Sequence, residues 1–111
     1  MIARIWRGRT RREEADEYLD YVNRTGVPGQ RGVPGNLGSM VLKRENGDEA
    51  EFLVFSLWES WDAIRAFAGE RPEVPVYYPE DQKYLLEFET EVRHYEVEVA
   101  GPLSPGFGPS L

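Results

Sequence analysis

Phe52-Leu53-Val54-Phe55-Ser56-Leu57-Trp58-Glu59-Ser60-Trp61-Asp62-Ala63-Ile64-Arg65-Ala66-Phe67-Ala68-Gly69 opens as a strand and closes as a helix. Side chains alternate along a strand, so Phe52, Val54, Ser56 and Trp58 share one face and Leu53, Phe55 and Leu57 the other. A half-solvated strand alternates apolar with polar residues. A run that is apolar on both sides therefore predicts a strand covered on both. Glu59-Ser60 turns the chain into a helix whose packing face is Trp61, Ile64, Phe67 and Ala68. Ser60 suits the N-cap, Asp62 the positive first turn, and Gly69 the residue just past the end.

Upstream of this stretch, Asn46-Gly47 is a strong hairpin signal and pairs Asn36–Asn46 antiparallel with Glu49–Trp58. Before it a hexamer occurs twice, as Gly26-Val27-Pro28-Gly29-Gln30-Arg31 and Gly32-Val33-Pro34-Gly35-Asn36-Leu37. Pro-Gly at a turn centre favours type II, so both copies read as a loop crossing from helix to strand. Thr10-Arg11-Arg12-Glu13 has the spacing of a capping box. The helix it opens carries an apolar stripe of Ala15, Tyr18, Leu19 and Val22 and stops at Gly26. Met1–Arg7 alternates as a first strand, broken by Gly8-Arg9. Downstream, residues 71–79 form an irregular crossing, and Pro79-Glu80-Asp81 starts a short helix. Leu85–Val99 alternates as the last strand, and residues 101–111 form a Gly/Pro-rich tail.

The order βαββαβ predicts a ferredoxin-like α+β fold, a four-stranded antiparallel sheet with the helices on one face and the first and third strands central. Two helices cover one face only, whereas Phe52–Trp58 is apolar on both. A second copy stacked sheet to sheet supplies the missing cover and makes a homodimeric α/β barrel. The domain then occupies residues 1–100.

Composition narrows the function classes. The chain has 111 residues, enough for one core. A net charge of −7 argues against a nucleic-acid backbone or an anionic membrane as partner. With no cysteine there is no disulfide, no thiolate nucleophile and no thiolate metal site. One histidine leaves nothing to complete a soft-ligand set, so no metal is expected. No apolar run approaches the roughly 20 residues that span a bilayer, and no signal-peptide core begins the chain, so a cytoplasmic protein is expected.

Leu57-Trp58-Glu59-Ser60 running into Ala63-Ile64-Arg65-Ala66-Phe67, then Tyr77-Tyr78-Pro79-Glu80-Asp81, then Val92-Arg93-His94-Tyr95-Glu96-Val97, resemble the antibiotic-biosynthesis monooxygenase-like family. The resemblance implies a dimeric α/β-barrel domain with a cavity between sheet and helices in each protomer. Some relatives are cofactor-free monooxygenases of polyphenols, some degrade heme, and Trp58 matches the family's pocket Trp. The heme-degrading branch has an Asn on its first strand and a heme-ligating His after its second helix. Here the first strand offers Arg4 and Trp6, and His94 lies on the last strand. The expectation is therefore no cofactor, heme being unlikely. The function expected is a cofactor-free monooxygenase acting on a small aromatic substrate. The alternative is a non-catalytic small-ligand-binding or stress-related homodimer.

Ala3 and Ile5 make a small apolar face suited to helix packing, which points Ile2, Arg4 and Trp6 the other way. By the same test Tyr95, Val97 and Val99 pack on helices, while His94 and Glu96 share the opposite face with Arg4. An Arg4–Glu96 pair closing the barrel is the structural reading, since an interior charge is costly when unpaired. His94 is the one side chain that titrates near neutrality without help, and it is the candidate base for a phenolic proton. Trp58, Trp6, Tyr77 and Tyr78 are candidates to stack on a flat substrate, with Arg4 beside them.

Overall fold

A computed structural model of the protein describes residues 1–98 together with 100 and 101. Most of the tail at 101–111, and Val99 in the expected last strand, lie outside the described residues. The elements are β1 (Ile2–Arg11), α1 (Ala15–Arg24), α2 (Gly26–Arg31), β2 (Asn36–Asn46), β3 (Glu49–Trp58), α3 (Trp61–Ala68), α4 (Asp81–Tyr84) and β4 (Arg93–Glu96). The strands form one antiparallel sheet in the order β2-β3-β1-β4, with β1 and β3 central and α1 and α3 packed on the same face. This is the ferredoxin-like α+β fold expected from the element order. The sheet is open, with β2 and β4 at its edges.

The hairpin forms where Asn46-Gly47 placed it. Asn46 pairs with Glu49, so the turn residues are Gly47 and Asp48, and Gly47 takes φ 63°. Ser60 caps α3, its hydroxyl accepting from the Ala63 amide at 3.2 Å. The first helix starts differently from the capping-box expectation. β1 continues to Arg11, a 3-10 turn covers Arg12–Glu14, and the Thr10 hydroxyl donates to the Arg11 carbonyl instead of capping. Tyr21 takes the place expected of Leu19 in the buried stripe, and Leu19 sits at the solvent edge. Trp61, expected on the packing face of α3, is exposed and lies against the His94 ring.

The two hexamers part company. The first is α2, because Pro28 falls in the opening turn, where a missing N–H costs nothing. The second is a turn in which Gly35 takes φ 94° and its carbonyl accepts from the Glu59 amide at 2.9 Å. A Cβ at Gly35 would stand 2.6 Å from that of Ala63, so glycine is needed there for space as well as for φ.

Which face of β1 meets the helices is the reverse of the expectation. Ile2 pairs with Trp58, Arg4 with Ser56 and Trp6 with Val54 on the helix-covered face, and Ala3, Ile5, Arg7 and Arg9 point to the open face. Gly8 does not break the strand. Trp6 lies across it, and any Cβ at Gly8 would collide with the indole. His94 pairs with Arg4 on the helix side, and Tyr95, expected against the helices, is 52% exposed on the open side. The volume beneath the helices is filled by Ile2, Trp6, Phe52, Val54 and Trp58, residues too large to leave in water. The Arg4–Glu96 pair is absent. Glu96 registers with Ile2 and is exposed. β4 is shorter than Leu85–Val99 because Glu87 and Glu89 sit off the strand and meet Arg7 and Arg9.

Candidate functional site

Between α1, α3 and the sheet lies a cavity of about 50 Å³, bordered by Trp6, Tyr18, Val54, Phe67, Tyr78 and Asp81 among others. Each wall has a local cause. β1 and β3 present Trp6 and Val54 as paired neighbours, α1 presents Tyr18 from its buried stripe, and α3 presents Phe67 two turns after its cap. The cavity holds water-sized molecules, whereas ligand pockets run to roughly 300–1,000 Å³. A flat aromatic molecule therefore needs the walls to part.

Asp81 supplies the acid. It is buried, accepting from the Tyr78 amide at 2.6 Å and from the Tyr18 hydroxyl at 3.3 Å. Burial pushes its carboxyl above the usual carboxylate range, and these two donors pull it partly back. Tyr18 is held protonated by burial and by the Asp81 charge. The Tyr78 phenol is also raised by burial first and Asp81 second.

Of the residues singled out in the sequence, Trp6 and Tyr78 border this cavity. Tyr77 stands behind Trp6. It accepts from the Trp6 indole N–H at 3.4 Å, donates to the Glu89 carbonyl at 2.7 Å, and so fixes the indole. Trp58 is fully buried, donates to the Ser56 hydroxyl at 2.9 Å, and stacks on Phe67 with centroids 5.9 Å apart. It does not border the cavity, but Phe67, on which it stacks, does.

Arg4 lies against His94, one of the two neighbours that the pairing of first and last strands allowed, and not against the expected Glu96. Arg4 is 3% exposed, and its Nη1 donates to the Pro72 carbonyl at 2.6 Å and to His94 Nε2 at 3.1 Å. Arginine has no acceptor, so His94 Nε2 carries the lone pair and Nδ1 the hydrogen. Burial lowers the Arg4 pKa to about 10. His94 is lowered as well, by burial first and then by the Arg4 charge, so its imidazole is neutral at pH 7. The Phe67 ring that borders the cavity also lies 5.6 Å from the Arg4 guanidinium carbon.

In the sequence Asp81 is a helix-start acid, Tyr18 a stripe residue and Phe67 a packing residue, and Asp81 and Phe67 fall in the stretches that carry the family resemblance without being marked as site residues. Their signal was present but ambiguous, because each pattern is also that of ordinary core. Among the described residues no group of three or more His, Cys, Asp or Glu side chains is placed to hold a metal ion. No helix among them is long and apolar enough to cross a membrane.

Comparison with known proteins identifies the relatives. A solved structure of a MhuD arginine-to-serine mutant, with two manganese protoporphyrin IX molecules per active site, is similar to this chain with a TM-score of 0.58 and 20% identity. The match covers 92% of this chain and 99% of that one. At that identity the likeness is one of fold. It overturns the expectation of no cofactor, because a protein of this fold does hold a porphyrin in its active site. No curated protein matches the chain. The sequence model of the antibiotic biosynthesis monooxygenase family matches residues 1–72, well over half of the chain. On that match and on the fold, this chain belongs to the antibiotic biosynthesis monooxygenase family.

Proposed function

We propose that the chain is an oxygenase-type domain that admits a small, flat phenolic molecule between its sheet and helices. One observation carries the reading: an acid of raised pKa, Asp81, shares a cavity with the aromatic faces of Trp6, Phe67 and Tyr78. The rings supply stacking for a flat substrate. The Asp81 carboxylate takes the phenolic proton and becomes the acid, leaving a phenolate ready to give up electrons. His94, expected to be the base, has its basic nitrogen turned to Arg4, which leaves Asp81 better placed for the proton.

A porphyrin answers the same test in part. Its flat ring suits the same aromatic walls, and when bound it would supply oxygen-activating chemistry. His94 is engaged with Arg4 and the chain has no second histidine, so no step is assigned to a porphyrin metal.

The working unit in this reading is a homodimer. The open face carries Ile5, Leu53, Phe55 and Leu57, with Leu42 and Tyr95 at 45% and 52% exposure. A hollow of about 710 Å³ beside them is lined by Ile5, Leu53 and Tyr95 together with charged groups. Stacking two such faces buries this strip in a closed barrel.

Oxygen uptake with a panel of hydroquinones, run with and without added hemin, tests the activity. Uptake is expected, and Asp81→Asn should lower it by about 100-fold or more. A rise in melting temperature without uptake would favour ligand binding without turnover. Neither uptake nor a thermal shift would sink the reading. Light scattering should give twice the chain mass.

A further inference from the structure

We infer that Arg4 is the docking point for an acid group on the ligand, so that the molecules this domain takes are flat aromatic carboxylates. The inference rests on the cleft described above and names the class of ligand that fits it. Arg4 is 97% removed from solvent by its 3% exposure, yet no Asp or Glu lies within ion-pair distance of it among the described residues. Arg7 and Arg9, on the open face of the same strand, both have counter-ions. Arg7 pairs with Glu51 and Glu89, and Arg9 with Glu49 and Glu87. Buried charges are normally paired, because an interior charge without a partner is costly.

The two groups that Arg4 hydrogen-bonds are both neutral, a carbonyl and an imidazole, and both are bound through Nη1. Nε and Nη2 make no hydrogen bond within the described residues and neither is a fully enclosed orphan, so both can be reached. A carboxylate accepts from two such donors side by side, which is the geometry guanidinium recognises best. His94 and the Pro72 carbonyl hold the head group still while leaving its charge uncompensated. The missing counter-ion therefore comes from outside the chain.

Phe67 connects this charge to the cavity. Its ring borders the aromatic cavity on one side and stands 5.6 Å from the guanidinium carbon on the other. A turn of that ring would open the cavity toward the guanidinium. An aromatic body would then lie among Trp6, Tyr78 and Val54 with its carboxylate on Arg4.

The test compares acids with their own esters, which keep the flat body and lose the charge. 2-Naphthoate and protoporphyrin IX are each titrated beside their methyl esters by quenching of tryptophan fluorescence. The wild-type chain should bind each acid about tenfold or more tighter than its ester, the worth of a charge-assisted hydrogen bond. Arg4→Met should bring the acid-to-ester ratio to about one while ester binding stays, and Arg4→Lys should restore part of it. The acid preference in one frame only would tell a small aromatic acid from a porphyrin as the natural ligand. Equal binding of acids and esters by the wild-type chain would overturn the inference and leave the aromatic cleft standing. Binding of neither would instead remove the cleft itself. The wild-type comparison needs no variant, so it decides the matter even if the substitutions disturb folding.

Discussion

Arg4 and Arg7 sit three residues apart on β1 and live under opposite rules. Arg4 faces the helices, is buried, and meets a carbonyl and a neutral imidazole. Arg7 faces the open side, is 40% exposed at its side chain, and donates to Glu51 at 2.6 Å and Glu89 at 3.1 Å. Burial lowers the Arg4 pKa, whereas the hydrogen bond to Glu51 raises that of Arg7. The difference extends to the two sheet faces as wholes. One is a finished core with a charge left over inside it. The other is an apolar strip edged by ion pairs that balance one another. A residual charge within a core is a sign of chemistry or ligand, whereas a balanced rim is a sign of solubility and register.

The largest test of this contrast sets Trp58 against Leu53. Trp58→Ala should cost about 3–5 kcal/mol of folding stability, because it empties the core beneath α3. Chemical denaturation would show this at every protein concentration. Leu53→Asp, on the open face, should leave the single chain folded and shift its mass from two chains to one by light scattering. Loss of folding from Leu53→Asp, or an unchanged dimer, would erase the distinction between the faces.

Next in size is Gly8→Ala, since a methyl there collides with the Trp6 ring on the helix side. The expected loss is about 1–3 kcal/mol, read as a lower denaturation midpoint with an unchanged slope. A neutral result would mean that Trp6 has room to move.

The two arginines themselves come third. The folded pKa of Arg4, about 10, lies well below its unfolded value, so its charge opposes folding at every pH below 10. Arg4→Met should therefore be neutral to stabilising by about 2 kcal/mol, even as acid binding is lost. Arg7→Met should lose at most about 1 kcal/mol, the worth of partly exposed pairs. A large loss from Arg4→Met alone would mean that the buried guanidinium is a structural strut.

The smallest effect expected is on pH dependence. The folded pKa of His94 is lowered below 6.5, so its share of stability is present above pH 6.5 and is lost as pH falls through the folded value. Melting temperature followed from pH 7.5 to 5 should decline in the wild-type chain and decline less in His94→Asn. Equal slopes would remove the Arg4–His94 contact from consideration.

Much of this was legible in residue patterns. The hairpin at Gly47, the cap at Ser60, the element order and the doubly apolar β3 all depend on neighbours close in sequence, and each formed. Gly8 was read as a break because a strand glycine usually is one, and nothing local shows an indole laid over it. Had β1 been extended through Gly8, the outward Arg7 and Arg9 would have told which face is open. The two hexamers make the same point with the same letters. Their local preferences are equal, but Pro28 follows a helix that can continue through it, while Gly35 must pass close against Ala63.

The element order and the antiparallel ferredoxin-like sheet were set by the local patterns of the chain, and the pairing of first and last strands left Arg4 within reach of either His94 or Glu96. These follow from periodicity, turn chemistry and strand register, which are short-range or topological. Packing alone selected the covered face of β1, left Arg4 without an acidic partner among the described residues, and set Asp81 and Phe67 around one cavity with Trp6. Those outcomes depend on which side chains compete for the volume under two helices, a contest among residues up to 75 positions apart in the case of Trp6 and Asp81. Alternation shows that a strand has two faces, but only packing selects the one to be buried.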